Sequence, residues 1–415
     1  MPASTATLNM TSFGAALKVY YTNDKVESVV LDDNPLLALL PKMTKFEGST
    51  LPIPIIIGLP NGRSATFATA QTNAASSRIE SFVLTRVKNY GVALIDNETM
   101  KASGSNKGAW FEARTQEIDG ILKQVSRSLA IQLYGTGTGT LGAYTYTATN
   151  TFFTCTNIDD ITNYALNQKL VFATTDGGAL LSAGASVFAV QLDRDLGRVY
   201  CSASLGGAPA AIDTTVAAIG TAGFAYPQGD TGGLAISGLR AWLPDAAPSS
   251  TPFFGVDRTA DTTGLGGIRF DGSALSIEEA LQKAAYKAKQ LGAKPSHVFM
   301  NPVTFGELAI SLGSKVIYDV AKSTDGKFGF DALVMHTPAG KIKIVADANC
   351  PSTRAFMLTI ETWKLCSLGP APQVLQTDGN YVLRTANADS VEVRTGYYAQ
   401  LGCSAPGWNV NIKLA

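Results

Sequence analysis

Two long strand patterns with little to pack between them set the strongest constraint on this chain. Residues 50–58, TLPIPIIIG, are apolar and β-branched, and their two prolines confine the segment to a sheet edge. Residues 79–96, IESFVLTRVKNYGVALID, alternate apolar and polar over a long run. Pro60-Asn61-Gly62-Arg63 is a turn, and residues 64–77, SATFATAQTNAASS, are small, polar and weakly structured. The pattern predicts a long β-ribbon with a floppy tip. An isolated hairpin is marginal in water, and its edges need covering. A partner is therefore expected to stabilise the ribbon.

Composition points the same way. At ~150 residues per domain, 415 residues make roughly three domains or one elaborated one, enough to bury a sizeable core. The 33 basic residues balance the 33 acidic ones, and only 16% of residues are charged, against ~25% in an average protein. A hydrophobic share of 46% excludes a disordered chain. The absence of basic excess argues against a nucleic-acid binder that works by neutralising phosphates. A neutral, charge-poor surface resists association poorly, so much of it is expected to be buried against other subunits.

The rare residues carry no visible chemistry. Cys155, Cys201, Cys350, Cys366 and Cys403 are odd in number and form no CxxC pair, which reads as reduced thiols acting as small buried hydrophobes. His297 precedes the apolar run Val298-Phe299-Met300 and reads as a strand-edge residue, and His336 reads the same way. Neither has zinc-ligand spacing, so no metal and no cofactor is expected. The N-terminal MPASTATLNM lacks the features of a secretory signal, and the longest apolar stretch, residues 53–57, is far below the ~18 a membrane span needs. The expectation is a soluble protein made in a cytosol, with no membrane partner.

Residues 109–134 form the clearest helix pattern. Ile118, Ile121, Leu122, Val125, Leu129 and Leu133 make one stripe, while Glu112, Arg114, Glu117, Asp119, Lys123 and Arg127 lie mostly off it. Such a helix would be ~39 Å long, closed by Gly135 just past its end. Residues 143–236 are Thr/Val/Ala/Gly-rich with short alternating strands and a turn at residues 193–197, which reads as a small β subdomain. After a Pro/Thr/Gly-rich connection, Ser276-Ile277-Glu278-Glu279 is a capping box opening a helix to Leu291. A short helix closed by Gly313 and alternating strands, among them VIYDV, complete an α+β region.

Gly137-Thr138-Gly139-Thr140-Leu141-Gly142 matches GxGxxG but follows a helix and leads into β structure, so it reads as a flexible hinge rather than a dinucleotide site. Asp193 and Asp195 open like a calcium loop, but its later ligands are missing, which leaves a hairpin turn. No apparatus for acid–base or nucleophilic catalysis is visible, and an enzyme is not expected.

Taken in order, Asn34-Pro35-Leu36-Leu37, Gly62–Phe67, Lys88–Ala93, Glu117–Gly120 through Gln132–Gly135, Phe299–Pro302 and Arg394–Gly402 resemble stretches of the major capsid protein of tailed bacteriophages, a fold shared with herpesvirus capsid floors and encapsulin shells. Asn34-Pro35-Leu36-Leu37 resembles the N-terminal arm. Gly62–Phe67 and Lys88–Ala93 resemble the extended β-ribbon loop, and Glu117–Gly120 through Gln132–Gly135 the long spine helix. Phe299–Pro302 resembles the axial domain, and Arg394–Gly402 the closing strand of the peripheral domain. The resemblance implies an arm at 1–45, an extended loop at 46–104, the spine helix at 105–142, an inserted β subdomain of the peripheral domain at 143–236, an axial domain at 237–365 and C-terminal strands at 366–415. The insertion is longer than the minimal fold needs. It implies a structural protein of the virion capsid, assembled in the host cytoplasm. Pentamers and hexamers would close into an icosahedral procapsid that encloses double-stranded DNA without sequence-specific binding and then matures. A separate scaffold, a portal and cement proteins are possible partners. Leu36, Leu37, Arg63, Phe67, Arg78, Arg86, Glu112, Arg114 and Glu117 are the candidate inter-subunit contacts, and Gly91, Gly120 and Gly135 the candidate hinges. The alternative is an encapsulin-type nanocompartment shell of the same fold.

Overall fold

The computed structural model describes residues 34–103, 113–312, 333–375, 382–385 and 388–414. The first 33 residues of the expected arm, Glu112, the start of the helix pattern and the VIYDV segment lie outside them. The chain divides into two units, one holding Val87–Ile236 and Ser367–Ala399, the other Asn34–Arg86, Ser237–Cys366 and Gln400–Ala415.

In the first unit, strand Val87–Asp96 runs antiparallel to Ser390–Cys403, in register from Ser390↔Asp96 to Ala399↔Val87. Alternation puts Gly91, Ala93 and Ile95 on the buried face and Lys88, Tyr90 and Val92 on the exposed one. Helix Ala113–Tyr134 packs on the buried face. Its stripe is buried at Val125, Leu129 and Leu133 and half-buried at Ile118, Ile121 and Leu122. Arg127, which the pattern places off the stripe, is buried as well. Its guanidinium donates to the carbonyls of Thr162 and Tyr164, so a desolvated charge is satisfied by two backbone acceptors. Gln132, in the last turn, is 7% exposed and organises its surroundings. Its Oε1 accepts from Tyr397 Oη at 3.0 Å and from the Ile236 amide at 3.1 Å, and its Nε2 donates to Asp230 at 3.3 Å.

Beyond the helix the chain closes a barrel of six antiparallel strands. Around it, Gly142–Thr145 is followed by Phe152–Cys155, Arg198–Ser202, Val187–Asp193, Lys169–Ala173 and Ala222–Pro227, which pairs back to the first. Inward alternation fills it with Tyr144, Phe153, Phe172, Val199 and Cys201. Asp193 lies at the hairpin turn, where its carboxylate accepts the Leu196 amide at 3.1 Å. The GxGxxG segment is no free hinge. Gly137 and Gly139 take φ of 89° and 85°, which favour glycine, and a Cβ on Gly139 would lie 2.1 Å from the Asp230 carbonyl oxygen. Thr136 and Thr138 also donate to the two oxygens of Asp176, at 3.2 and 2.6 Å.

In the second unit a six-stranded mixed sheet runs in the order Ile268–Asp271, Val410–Lys413, Arg354–Leu358, His297–Met300, Gly340–Ala346, Leu333–Thr337. Helix Ile277–Gln290 buries its alanine face, Ala280, Ala284, Ala285 and Ala288, in the core it shares with Ile268, Leu333 and Ile412 of the sheet. Ser276 caps it, accepting the Glu279 amide at 3.3 Å as the capping box predicts. His297 begins its strand, half-buried, with Nδ1 2.9 Å from Ser296 Oγ. All five cysteines are buried and unpaired, and burial pushes the Cys155 thiol up to about 12.

Candidate assembly surfaces

The ribbon is two structures rather than one. Thr50–Gly58 pairs with Arg78–Thr85 to make a hairpin, but the strand pattern after it breaks at Arg86, and Val87–Asp96 pairs instead with Ser390–Cys403. The hairpin is fixed at one end and bare at the other. At its root Phe82 is fully buried, edge-on to Trp242 with ring centroids 4.9 Å apart, and the Val83 amide donates to the Phe254 carbonyl at 2.8 Å. Toward the tip burial stops: Ile56, Leu59, Phe67 and Ile79 are 60–78% exposed.

The tip is ordered, contrary to the floppy loop its composition predicts. Phe67–Thr72 is a short helix, since the Ala and Gln that lack bulk are good helix formers. Asn61 and Ala75 exchange two backbone hydrogen bonds beneath it, at 3.2 and 2.9 Å, and Gly62 sits where a Cβ would press on Ala70 and Ala74.

Of the candidate contact residues, Arg63 and Phe67 stand exposed on this tip. Arg78 pairs across the surface with Glu80 at 2.6 Å. Arg86 turns inward, lying over the Phe46 ring at 4.9 Å and donating to the Phe46 carbonyl. Leu36 and Leu37 are buried within their own chain, where the Leu36 amide donates to Asp347 at 3.2 Å; exposed Leu39 has more side chain to offer another copy. Arg114 stands in the first turn of the long helix. Glu117 is half-buried, and that burial pushes its carboxyl up from the usual range. The exposed Ile56, Leu59 and Ile79 were not singled out from sequence; alternation gave a signal at Ile79, out of phase with buried Phe82 and Leu84, while Ile56 sits in an unbroken apolar run and Leu59 lies past the strand.

The three glycines have different settings. A Cβ on Gly91 would lie 2.7–2.8 Å from Ile121, Val125 and Thr395, so this glycine lets helix and strand approach closely. Gly120 faces open space, not the close packing its place inside a helix invites. Gly135 ends the helix without the left-handed φ of a C′ glycine, its amide donating to Gln132 O at 3.0 Å. Among the described residues, no group of His, Cys, Asp and Glu could hold a metal ion, and no helix is long and apolar enough to cross a membrane.

Residues 205–387 match the model of the SU10 major capsid protein family. No curated protein matches. A chain of the cyanophage A-1(L) capsid asymmetric unit superposes with a TM-score of 0.53 at 11% identity, covering 95% of this chain and 96% of that one. A chain of the capsid of an empty GTA particle does so with a TM-score of 0.50 at 10% identity, covering 96% and 95%. This is the tailed-phage major capsid fold. The family match and the α+β capsid fold support a phage-type major capsid protein and do not favour the encapsulin-type shell. The matched capsid family is a structural one.

Proposed function

We propose that copies of this chain form pentamers and hexamers and close into an icosahedral shell around double-stranded DNA. The hairpin carries this reading: its root is fixed by Phe82, while its far end exposes Ile56, Leu59, Phe67 and Ile79. Fully burying one such side chain contributes ~1.5–3 kcal/mol, so a neighbouring copy that covers several gains substantially. In this reading residues 1–45 act as the arm, 46–104 as the extended loop, 105–142 as the spine, 143–236 as an insertion in the peripheral domain, 237–365 as the axial domain and 366–415 as closing strands. Assembly takes place in the host cytoplasm, with a scaffold, portal and cement proteins as partners. Purified protein, alone and with a scaffold, should sediment as capsomers or shells and show closed particles by electron microscopy. A folded monomer in every assembly condition tried would sink the proposal.

A further inference from the structure

Within the first unit, a cavity of about 210 Å³ lies between the long helix, strand Val87–Asp96, the glycine-rich linker and the segment that follows the barrel. Ile121, Val125 and Ile236 line its apolar side, and Asn89, Ser128 and Asp230 its polar side. Asp230 has no ion-pair partner among the described residues. Among the described residues its side chain accepts only from Gln132 Nε2, at 3.3 Å. Asp230 is half-buried, and a partly desolvated carboxylate with one long hydrogen bond gains from a cation that joins it.

We propose that this cavity binds a small organic cation bearing N–H donors, a primary alkylammonium, with Asp230 as its counter-ion. The size of the space and its half-apolar wall suit a short alkyl body rather than a bare metal ion, and the same wall carries the Ser128 hydroxyl, which accepts from Asn89 Nδ2 at 3.5 Å and from Gln132 Nε2 at 3.4 Å. The other charged group on the wall, Arg127, is committed to the Thr162 and Tyr164 carbonyls. The remaining titratable groups near the carboxylate are Tyr90 on the wall and Tyr397, whose phenol donates to Gln132. Residues 135–141 contribute no titratable group, the 227–236 segment contributes only Asp230, and Tyr164 is buried in the barrel core. Burial raises the Asp230 carboxyl to about 6, so a proton competes with the ligand on the acid side and the site is open at neutral pH.

The test is the melting temperature of the full-length protein, in the state in which it purifies, titrated with methylammonium chloride. Tetramethylammonium chloride at matched ionic strength supplies the same charge without N–H donors. At about pH 7.5 and tenfold saturation, methylammonium should raise the melting temperature by about 2–4 °C and tetramethylammonium should not. The difference should vanish at about pH 5, where Asp230 is protonated, and in Asp230→Asn at either pH. Equal shifts with the two salts, no shift with either, or an Asp230→Asn protein that responds like the wild type would overturn the proposal. If Asp230→Asn does not fold, the wild-type comparison between the two pH values decides alone: a response that persists at about pH 5 rules the site out.

Discussion

The Tyr397 hydroxyl donates to Gln132 Oε1 at 3.0 Å, joining a strand near the C-terminus to the last turn of a helix 265 residues earlier. The same oxygen accepts the Ile236 amide at 3.1 Å. The two ends of this arrangement should respond unequally to mutation. Tyr397→Phe removes one donor and leaves an acceptor that still has a partner, which should cost about 1 kcal/mol. Gln132→Leu leaves the buried Ile236 amide unpaired, at about 1–3 kcal/mol, and also removes the acceptor of the Tyr397 hydroxyl, which keeps only Asn89 and Ser128 beside it. Chemical denaturation of the two variants should show the glutamine change as clearly the worse. Equal losses would mean that the shared oxygen is not the hub.

Gly91 and Gly120 make a second contrast. Gly91→Ala drives a methyl into Ile121, Val125 and Thr395, and overpacking of this kind costs about 1–3 kcal/mol. Gly120→Ala adds a methyl in open space on a helix and should stabilise by up to about 1 kcal/mol. Thermal melts of the pair should move in opposite directions.

Stability should depend on pH through Asp230. Its carboxyl rises from 3.8 to about 6 on folding, mainly because burial disfavours the charged form. The folded chain therefore binds the proton more tightly than the unfolded chain. The resulting stabilisation is fully present below 3.8 and is lost as pH rises through about 6. Asp230→Asn removes this dependence and should melt higher than the wild type near neutral pH. A flat wild-type profile across that range, after subtracting the variant, would contradict the assignment.

The hairpin tip should matter to assembly and not to folding. Replacing residues 60–77 with a short Gly-Ser turn leaves Phe82, Leu84 and their aromatic neighbours in place. The subunit should keep its circular dichroism and cooperative melt but fail to close stable shells. Trypsin should cut at Arg63 and Arg78 in free subunits and spare them in particles. Normal particles from the shortened chain would assign the tip to an ordinary surface loop.

What could be read in advance was local. The long helix and the Ser276 cap depend on periodicity and on a residue beside its own helix start, and both stand in the structure. The break at Arg86 was not read, although the buried face shifts across it from Phe82 and Leu84 at even positions to Gly91, Ala93 and Ile95 at odd ones. What separates the two strands is pairing of Val87–Asp96 with a segment some 300 residues away. Arg127 was misplaced for a related reason: counting charge puts it outward, but the carbonyls that hold it come from the barrel. A helix at Asn97–Ser103 also went unseen, although Asp96, whose carboxylate accepts the Glu98 and Thr99 amides, is a cap that the sequence displays. The cavity had no signature at all, since its walls are drawn from residues 89 to 236.

The barrel begins at Gly142, which pairs directly with Ala225 near its last residue. Entry and exit therefore stand about 5 Å apart, one strand spacing. A chain interrupted at such a place need not stretch to host a module of another size, or to lose it. Related shells could exchange, enlarge or delete everything between those two residues while the helix before it and the strands around it keep their geometry. The barrel is thus the part of this molecule most open to being rewritten in descent.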